Sequence, residues 1–304
     1  MLYLTLWIFF VYAFLGWCAE VSYAALHTGR FVNRGFLNGP VCPIYGFGMA
    51  AVLWILRPLM GNTVLLFLGS VVLTSLLEWL TGLVLEKLFH QRWWNYSGEP
   101  FNLGGYICLR FSLYWGLACL FVLKIIHPTV LWGVRAVPRS VGWVLLAVFA
   151  AAMAADLAAA VRTVVRMNRQ LRQLDELAGR LREVSNDLGE KLAGGVLAGA
   201  EAGEDVLEGL DELREAAERR RAELRQNVEE VRDDLAQRRF QLQIDQAQWL
   251  EERERDLDEL RRRFREVRDR DIFGQRRMLA AFPRLRSLDH RRALERLRRW
   301  LEQR

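Results

Sequence analysis

Five long apolar segments occupy the first 165 positions of the chain, and a densely charged pattern follows them. A bilayer core about 30 Å thick needs roughly 20 apolar helical residues for each crossing. The pattern predicts five transmembrane helices, at residues 2–26, 41–59, 64–88, 104–126 and 141–165. We therefore expect an all-α protein: a polytopic membrane helix bundle over residues 1–165, followed by a cytoplasmic coiled-coil tail.

In the tail, apolar residues recur every three or four positions in three runs, flanked by mixed charge. The runs are Leu174, Leu177, Leu181, Val184 and Leu188; Leu224, Val228, Val231 and Leu235; and Leu257, Leu260, Phe264 and Val267. Such heptad spacing is typical of coiled coils. It predicts a charged coiled-coil region over 166–271, in which 174–267 forms a homo-oligomer or binds a partner coiled coil. Each glycine within 194–209 costs a helix about 1 kcal/mol against alanine, so we expect a break there.

Residues 272–304 form a separate basic C-terminal helical segment in this prediction. They contain 10 Arg against 3 acidic residues. The segment has three interpretations: it docks on anionic lipid, it caps the acidic coiled coil, or it is a solvated charged helix, which the pattern favours. Nucleic acid is not an expected partner, because the arginines alternate with Leu at helical spacing and Trp300 is the only aromatic residue among those at 291–304.

The distribution of positive charge predicts the orientation. Basic residues follow the fifth segment closely, at Arg162, Arg166, Arg169 and Arg172. The positive-inside rule then places the tail in the cytoplasm, and five crossings place the N-terminus outside. Lys124, Arg135 and Arg139 would face outward against the rule. The expected location is the cell membrane, with several passes through the lipid bilayer.

Two polar loops interrupt the apolar segments, and this topology places them on the same side. The first, residues 29–48, has five glycines and two prolines, and its prominent positions are Gly35, Gly39, Pro40, Pro43 and Tyr45. A helix cannot start regularly in such a stretch. The N–H and C=O groups of irregular backbone at membrane depth need hydrogen bonds from protein or water. The loop is therefore either a re-entrant, cavity-lining turn or a tight interfacial loop.

The second motif loop, residues 86–105, combines aromatic and polar side chains, with Trp93, Trp94, Tyr96 and Ser97 at its centre. Aromatic rings beside a cation are typical of the lipid headgroup zone, which predicts an interfacial anchor. The alternative is an amphipathic lid over a polar site.

Charged residues inside the crossings are the main candidate site. A carboxylate at the depth of Glu78 is costly unless it faces protein, water or a partner, and Arg110 is a candidate cation for Glu78 or Glu20. The predicted substrate path or structural polar core comprises Glu20, Asn33, Arg34, Asn38, Glu78, Glu86, Arg92 and Asn102. A buried ion pair that fixes helix packing and a substrate or ion path both remain open.

Several motifs carry a family resemblance. They include Gly16-Trp17 followed by Glu20, residues 33–40 (NRGFLNGP), 42–46 (CPIYG), 92–97 (RWWNYS) and 105–109 (GYICL). Over about residues 7–128 the chain resembles the CmpB-like integral membrane proteins, described as putative ABC-transporter type IV. The resemblance implies a permease-like subunit of a bacterial inner-membrane ABC transport system with an unassigned substrate.

The sequence contains no Gly-x-x-x-x-Gly-Lys-Ser/Thr phosphate loop, so a transport function requires an ATPase subunit on a separate chain. A membrane scaffold that recruits or oligomerises partners through the coiled coil is an alternative of equal weight. An intramembrane enzyme acting on a lipid-linked substrate is a third. It is the least favoured, because no metal-ligand spacing or nucleophile–base pair is evident. We expect no enzyme activity, no catalytic residues, no metal and no cofactor.

Overall fold

The computed structural model describes residues 1–217 and 223–303, with side-chain surroundings described except at 192–231, 233, 235 and 242. The chain divides into two compact units, Met1–Arg172 with Asp271–Arg304, and Gln173–Arg270. The fold is all-α, as predicted, with four two-residue strands among the described residues.

The helices follow one another in chain order through both units. They are α1 (Leu2–Thr28), α2 (Pro43–Ile55), α3 (Thr63–Phe89), α4 (Leu109–Phe121), α5 (His127–Ala136), α6 (Arg139–Ala217), α7 (Glu223–Arg268), α8 (Gln275–Ala281) and α9 (Arg291–Glu302). A 3-10 turn at Arg57–Leu59 precedes α3, and a π-helical segment at Val122–Ile126 joins α4 to α5. The strands are β1 (Gln91–Arg92), β2 (Asn102–Leu103), β3 (Ile107–Cys108) and β4 (Arg286–Ser287).

Among the described residues, four helical stretches are long and apolar enough to cross a bilayer: Leu2–Thr28, Thr63–Phe89, Leu109–Ala136 and Arg139–Lys191. Large apolar side chains of α3, including Leu68, Val72 and Leu76, are exposed on the outside of the bundle. A contiguous apolar surface of this kind is stable against lipid and unfavourable in water. The chain is a membrane protein with several transmembrane helices.

The second predicted crossing, residues 41–59, does not form one long helix. Helix α2 has 13 residues, fewer than the roughly 20 that a crossing needs. The loop before it folds back along α1, so that the Cys42 amide donates to the Ala13 carbonyl at 2.9 Å, near the middle of α1. Further along α2, Met49 packs on Ile8. The chain therefore returns toward the Met1 end of α1 through an irregular loop and a short helix.

The fourth crossing is shifted from its predicted position at 104–126 to 109–136. Gly104 and Gly105 have φ values of 61° and 74°, in the left-handed region. They form the turn between β2 and β3, so the helix starts only at Leu109. At the other end the π-helical segment lies just before Pro128, whose ring nitrogen has no hydrogen to donate to the helix.

Two contacts of α6, one near its start and one about 26 residues further along, show how the first unit is assembled. A Cβ on Gly142 would collide with the Tyr3 hydroxyl, so the start of α6 lies beside the start of α1. Farther along α6, Asn168 Nδ2 donates to the Phe89 carbonyl at 2.8 Å, beside the end of α3. Because residues 29–42 follow the end of α1, both motif loops lie at the same end of the bundle.

Residues 271–304 pack into the first unit, in contrast to the solvated charged helix that the sequence favours. Strand β4 pairs antiparallel with β1, and Gln91 lies opposite Ser287. In α9, Ala293, Leu294 and Leu297 are buried. These three residues form one apolar stripe of an amphipathic helix, while the arginines occupy its other face.

The second unit contains the end of α6 and most of α7, which lie side by side. Arg253 Nη2 is 3.3 Å from Asp187 Oδ2, and Lys191 Nζ lies 4.0 Å from the centre of the Trp249 ring. Helix α6 continues through residues 194–209, where the sequence predicts a Gly-rich break. The side chains there, and those of the predicted run at Leu224, Val228, Val231 and Leu235, lie outside the described residues. A coiled coil with another chain stays a prediction.

The close contact between α1 and α2 generates a stability prediction. A Cβ on Gly16 would collide with the Tyr45 ring, whereas one on Gly133 would have no atom within 4 Å. We expect Gly16→Leu to destabilise the purified protein by about 1–3 kcal/mol or more, because it overpacks a tight helix contact. Thermal unfolding in detergent measures this. Gly133→Leu is the control, and equal melting temperatures for the two variants would contradict the packing.

Candidate functional site

The first motif loop is held in the bundle by Asp156 of α6. Asp156 Oδ1 accepts hydrogen bonds from the Asn38 backbone N–H and Nδ2, at 3.1 and 2.8 Å. Asp156 Oδ2 accepts from the Gly39 N–H at 2.7 Å. One carboxylate thus satisfies three N–H donors through charge-assisted hydrogen bonds. These bonds allow irregular backbone to lie inside the bundle.

Asn33 and Arg34 connect the same loop to α1. Trp17 Nε1 donates to Asn33 Oδ1 at 2.7 Å, and Asn33 Nδ2 donates to the Asn38 carbonyl at 2.7 Å. Arg34 Nη1 lies 3.4 Å from Glu20 Oε2. The side chain of Asn33 therefore bridges the helix and the far side of the loop, and Arg34 supplies the cation for Glu20.

Glu20 and Glu78 each bind a tyrosine hydroxyl. Tyr45 donates to Glu20 Oε1 at 2.6 Å, and Tyr96 donates to Glu78 Oε1 at 3.1 Å. The two carboxyl groups lie within electrostatic range of each other. We call Glu20, Tyr45, Glu78 and Tyr96, with Arg34, the paired-carboxyl cluster. It joins α1, both motif loops, α2 and α3.

The two carboxyl groups of this cluster differ in their surroundings. Both oxygens of Glu20 are engaged, one by Tyr45 and one by Arg34. Within the described residues, Glu78 Oε2 is buried without a hydrogen-bond partner, and no cation pairs with this side chain. Burial raises the pKa of Tyr96, and the nearby Glu78 raises it further, so Tyr96 remains a hydrogen-bond donor at neutral pH. Glu78 therefore differs from Glu20 in having a tyrosine hydroxyl and no cation beside it among the described residues.

Aromatic rings line the cluster. The Tyr96 ring stacks on Phe111 with centroids 4.9 Å apart, and the Tyr45 ring meets Trp115 edge-on at 5.6 Å. Both partners belong to α4. These rings provide a weakly polar wall with π faces, which tolerates a cation or a neutral polar group next to the carboxyls.

The prediction that Arg110 neutralises Glu78 or Glu20 is wrong. Arg110 has a side chain that is 58% exposed, and its Nη1 lies 3.7 Å from Glu99 Oε2. It stands on the first turn of α4, outside the cluster. The long side chain reaches solvent there and pairs with a carboxylate of the second motif loop, which avoids desolvating its charge.

In the second motif loop, the predicted site residues Glu86 and Arg92 form an ion pair. Arg92 Nε donates to Glu86 Oε2 at 2.7 Å, and this bond raises the pKa of Arg92. The guanidinium lies 4.8 Å from the centre of the Tyr106 ring. Trp94 Nε1 donates to the Tyr106 carbonyl at 2.9 Å. The pair therefore fixes the loop on the end of α3, outside the paired-carboxyl cluster.

The polar residues at the tip of this loop hold its turns. Asn95 Oδ1 accepts from the backbone N–H and hydroxyl of Ser97, at 3.0 and 2.5 Å. Asn102 Nδ2 donates to the Glu99 carbonyl at 2.8 Å, and Asn102 Oδ1 accepts from Gly105 N at 3.2 Å. Ser97 and Asn102 therefore position backbone, and they do not line the paired-carboxyl cluster.

Trp93 joins the two motif loops to the C-terminal segment. It is 3% exposed, and its ring lies 5.2 Å from that of Phe36 and 4.8 Å from that of Phe282. The predicted headgroup anchor therefore does not extend to Trp93, because Phe282 covers it. An aromatic ring in this setting contributes by burial against other aromatic rings.

Arg277 of α8 provides a second connection from the C-terminal segment to the first motif loop. Its Nη1 and Nη2 donate to the carbonyls of Gly35 and Phe36, at 3.0 and 3.1 Å. Burial lowers the pKa of Arg277, while Asp156 opposes that shift. Nearby, Thr163 Oγ1 donates to the Phe273 carbonyl at 2.8 Å. The first motif loop is thus held from α6 through its N–H groups and from α8 through its carbonyls.

The sequence analysis missed Asp156 and Arg277, for different reasons. Asp156 is the only acidic residue in the predicted crossing 141–165, which is the same signal that identified Glu78. It was available from the sequence. Arg277 is one of 10 arginines in the last 33 residues, and nothing in the local pattern distinguishes it.

The spanning helices, the loop folded between them and the paired-carboxyl cluster define a polytopic membrane protein with a polar interior. Residues 7–161, just over half of the 304-residue chain, match the profile of the CmpB family described as putative ABC-transporter type IV. The chain belongs to this family, which confirms the resemblance found in the motifs. The matched region includes both motif loops and Asp156. No curated protein and no solved structure matches the chain.

The Asp156 contacts predict the effect of Asp156→Asn. The amide places an N–H against the Gly39 N–H, so at least one charge-assisted bond is lost, worth about 1.5–3 kcal/mol. We expect a lower melting temperature and faster maleimide labelling of Cys42, which is 5% exposed behind this loop. Mass spectrometry localises the label. Asp289→Asn, at an exposed ion pair with His90, is the control; if it labels Cys42 as fast as Asp156→Asn, the assigned role is wrong.

The Arg277 contacts predict the effect of Arg277→Gln on the C-terminal segment. Without the two bonds to Gly35 and Phe36, we expect faster amide hydrogen exchange in residues 33–38 and in the β1–β4 pair. Mass spectrometry of the full chain in detergent measures both regions. Arg276→Gln changes an exposed neighbour with the same loss of charge and is the control. Unchanged exchange in the Arg277 variant would refute the connection.

Proposed function

We propose that this chain is the membrane, permease-like subunit of an ABC-type transport system, with its ATPase on a separate chain and its substrate unassigned. Family membership supports a transport-related membrane protein. The observation that carries the permease assignment is the buried carboxyl of Glu78 in α3, which has a tyrosine hydroxyl and no cation beside it among the described residues. No catalytic reaction is assigned to this chain.

The charges of the cluster support a polar path. A carboxyl group in a membrane helix is costly without a partner, and such residues commonly mark substrate or ion routes. Arg34 offsets the cost at Glu20, whereas Glu78 has only the Tyr96 hydroxyl. A residue that served packing alone would be more stable with both oxygens engaged. We infer that Glu78 is the position where a passing solute or proton binds.

The interrupted second crossing also supports transport. Many transporters build their sites from discontinuous helices, in which unwound backbone and short helices meet near the middle of the membrane. Here the Cys42 amide reaches the level of Ala13, and Tyr45, on the first turn of α2, contacts Glu20. We propose that residues 29–59 form an additional crossing, between those of α1 and α3, which brings the total to five. We also propose that the end with both motif loops is cytoplasmic. The arginines at 162, 166, 169 and 172 favour this orientation.

A membrane scaffold is the second candidate. The observation that favours it is the second unit, Gln173–Arg270, in which α6 and α7 lie side by side with mixed charge along their surfaces. Such a helical pair is suited to recruiting a partner or a second copy of the chain. In that case the paired-carboxyl cluster would only hold the bundle together.

The test is isolation of the tagged full chain from its native membrane in mild detergent, as wild type and as Glu78→Gln. We expect a nucleotide-hydrolysing subunit at fixed stoichiometry in both samples. We also expect ATP hydrolysis several-fold lower in the variant at unchanged abundance, because the solute site is altered while the fold remains. The matched control is Glu99→Gln, because Glu99 forms its ion pair with Arg110, outside the paired-carboxyl cluster.

Two results would contradict the proposal. Recovery of self-oligomers alone, with no ATP hydrolysis, would favour the scaffold. Loss of the Glu78→Gln protein from the membrane, with Glu99→Gln unaffected, would assign Glu78 to helix packing.

A further inference from the structure

An open groove of ≈ 560 Å³ lies between the tip of the second motif loop and the C-terminal segment. One wall is formed by Asn95, Gly98 and Glu99, and the other by residues of the 283–286 turn and of α9. We propose that this groove binds a phosphate-bearing anion, supplied either by a phospholipid headgroup or by a soluble phosphate ester. It is separate from the paired-carboxyl cluster and from the proposed transport path.

The charge of the groove supports an anionic ligand. Its lining contains four arginines against two carboxylates, a formal balance of +2; the arginines are Arg284, Arg286, Arg291 and Arg298. Both carboxylates are already engaged: Glu295 Oε1 lies 3.0 Å from Arg291 Nε, and Glu99 pairs with Arg110. The ion pairs described around the groove are Glu99–Arg110, His90–Asp289 and Arg291–Glu295, and none of them involves Arg284 or Arg286. The two guanidiniums are therefore available to a ligand.

The backbone that carries these two arginines is held in place. Arg298 Nη1 donates to the Pro283 carbonyl at 2.7 Å, and its Nη2 donates to the Phe282 and Leu285 carbonyls at 3.4 and 3.3 Å. Arg286 stands in β4, paired with Arg92 of β1. Arg298 Nε is also buried without a partner within the described residues. An ordered backbone reduces the entropy lost when Arg284 and Arg286 close on a ligand.

The chemistry and the location favour phosphate over other anions. A guanidinium donates two parallel N–H bonds to phosphate oxygens, and two guanidiniums on one groove wall can share a single phosphate. The groove adjoins the loop that contains Trp94 and Tyr96, next to the end of the membrane helix α3. Phospholipid phosphates lie at that depth, and basic side chains there attract anionic lipid.

The experiment is native mass spectrometry of the full chain in detergent with phosphatidylglycerol or phosphatidylcholine. We expect preferential phosphatidylglycerol adducts and about 25-fold weaker binding in Arg284→Gln/Arg286→Gln, because each basic side chain near anionic lipid contributes about fivefold in affinity. Both arginines are exposed, so the variant should fold. The control, Arg292→Gln/Arg296→Gln, removes equal charge from exposed positions of α9 outside the groove and should bind like wild type.

A second arm identifies the source of the phosphate. Binding of glycerol 3-phosphate that displaces phosphatidylglycerol and depends on Arg284 and Arg286 would support a soluble ligand in the same site, and lack of displacement would support the lipid. Equal binding of the two lipids by wild type would overturn the proposal. An equal loss of binding in the control variant would also overturn it, since attraction would then be a property of net charge and not of the groove.

Discussion

The structure depends on one constraint: backbone N–H and C=O groups placed inside a membrane need protein partners. The loop at 29–42 places irregular backbone beside the middle of α1. Its amides are satisfied by the Ala13 carbonyl and by Asp156, and two of its carbonyls by Arg277. Each unsatisfied group would cost several kcal/mol in hydrocarbon. These bonds draw α1, α6 and α8 to a single loop and so organise one end of the bundle.

The same loop gives the two carboxyl groups of the paired-carboxyl cluster different electrostatic surroundings. By folding inward it brings Arg34 to Glu20 and Tyr45 to the same carboxylate. Glu78 receives only a hydroxyl from the second motif loop, so one carboxyl of the cluster has a cation beside it and the other does not. An interior built only for stability would pair both charges or lack them. This asymmetry favours passage of a solute over simple packing.

The sequence predicts the apolar helices well, because a run of about 20 apolar residues has few alternatives to a spanning helix. It predicts the irregular loop from Pro40, Pro43 and the nearby glycines. It does not predict that α2 is short, because the sequence is apolar from Val41 to Leu56, whereas the helix runs only from Pro43 to Ile55. Long-range partners are the hardest to predict: Asp156 is 118 positions from Asn38, and Arg277 is 241 positions from Phe36.

The separation between Arg277 and the first motif loop has a consequence during biosynthesis. At about 5–20 residues per second, a ribosome needs roughly 12–50 s to make the 241 residues that follow Phe36 up to Arg277. Throughout that interval the carbonyls of Gly35 and Phe36 lack their eventual donors, and all of α2 to α5 is made before Arg277 exists. The nascent loop must use water or the translocation machinery as a temporary partner. Completion of the bundle is therefore a late event of translation.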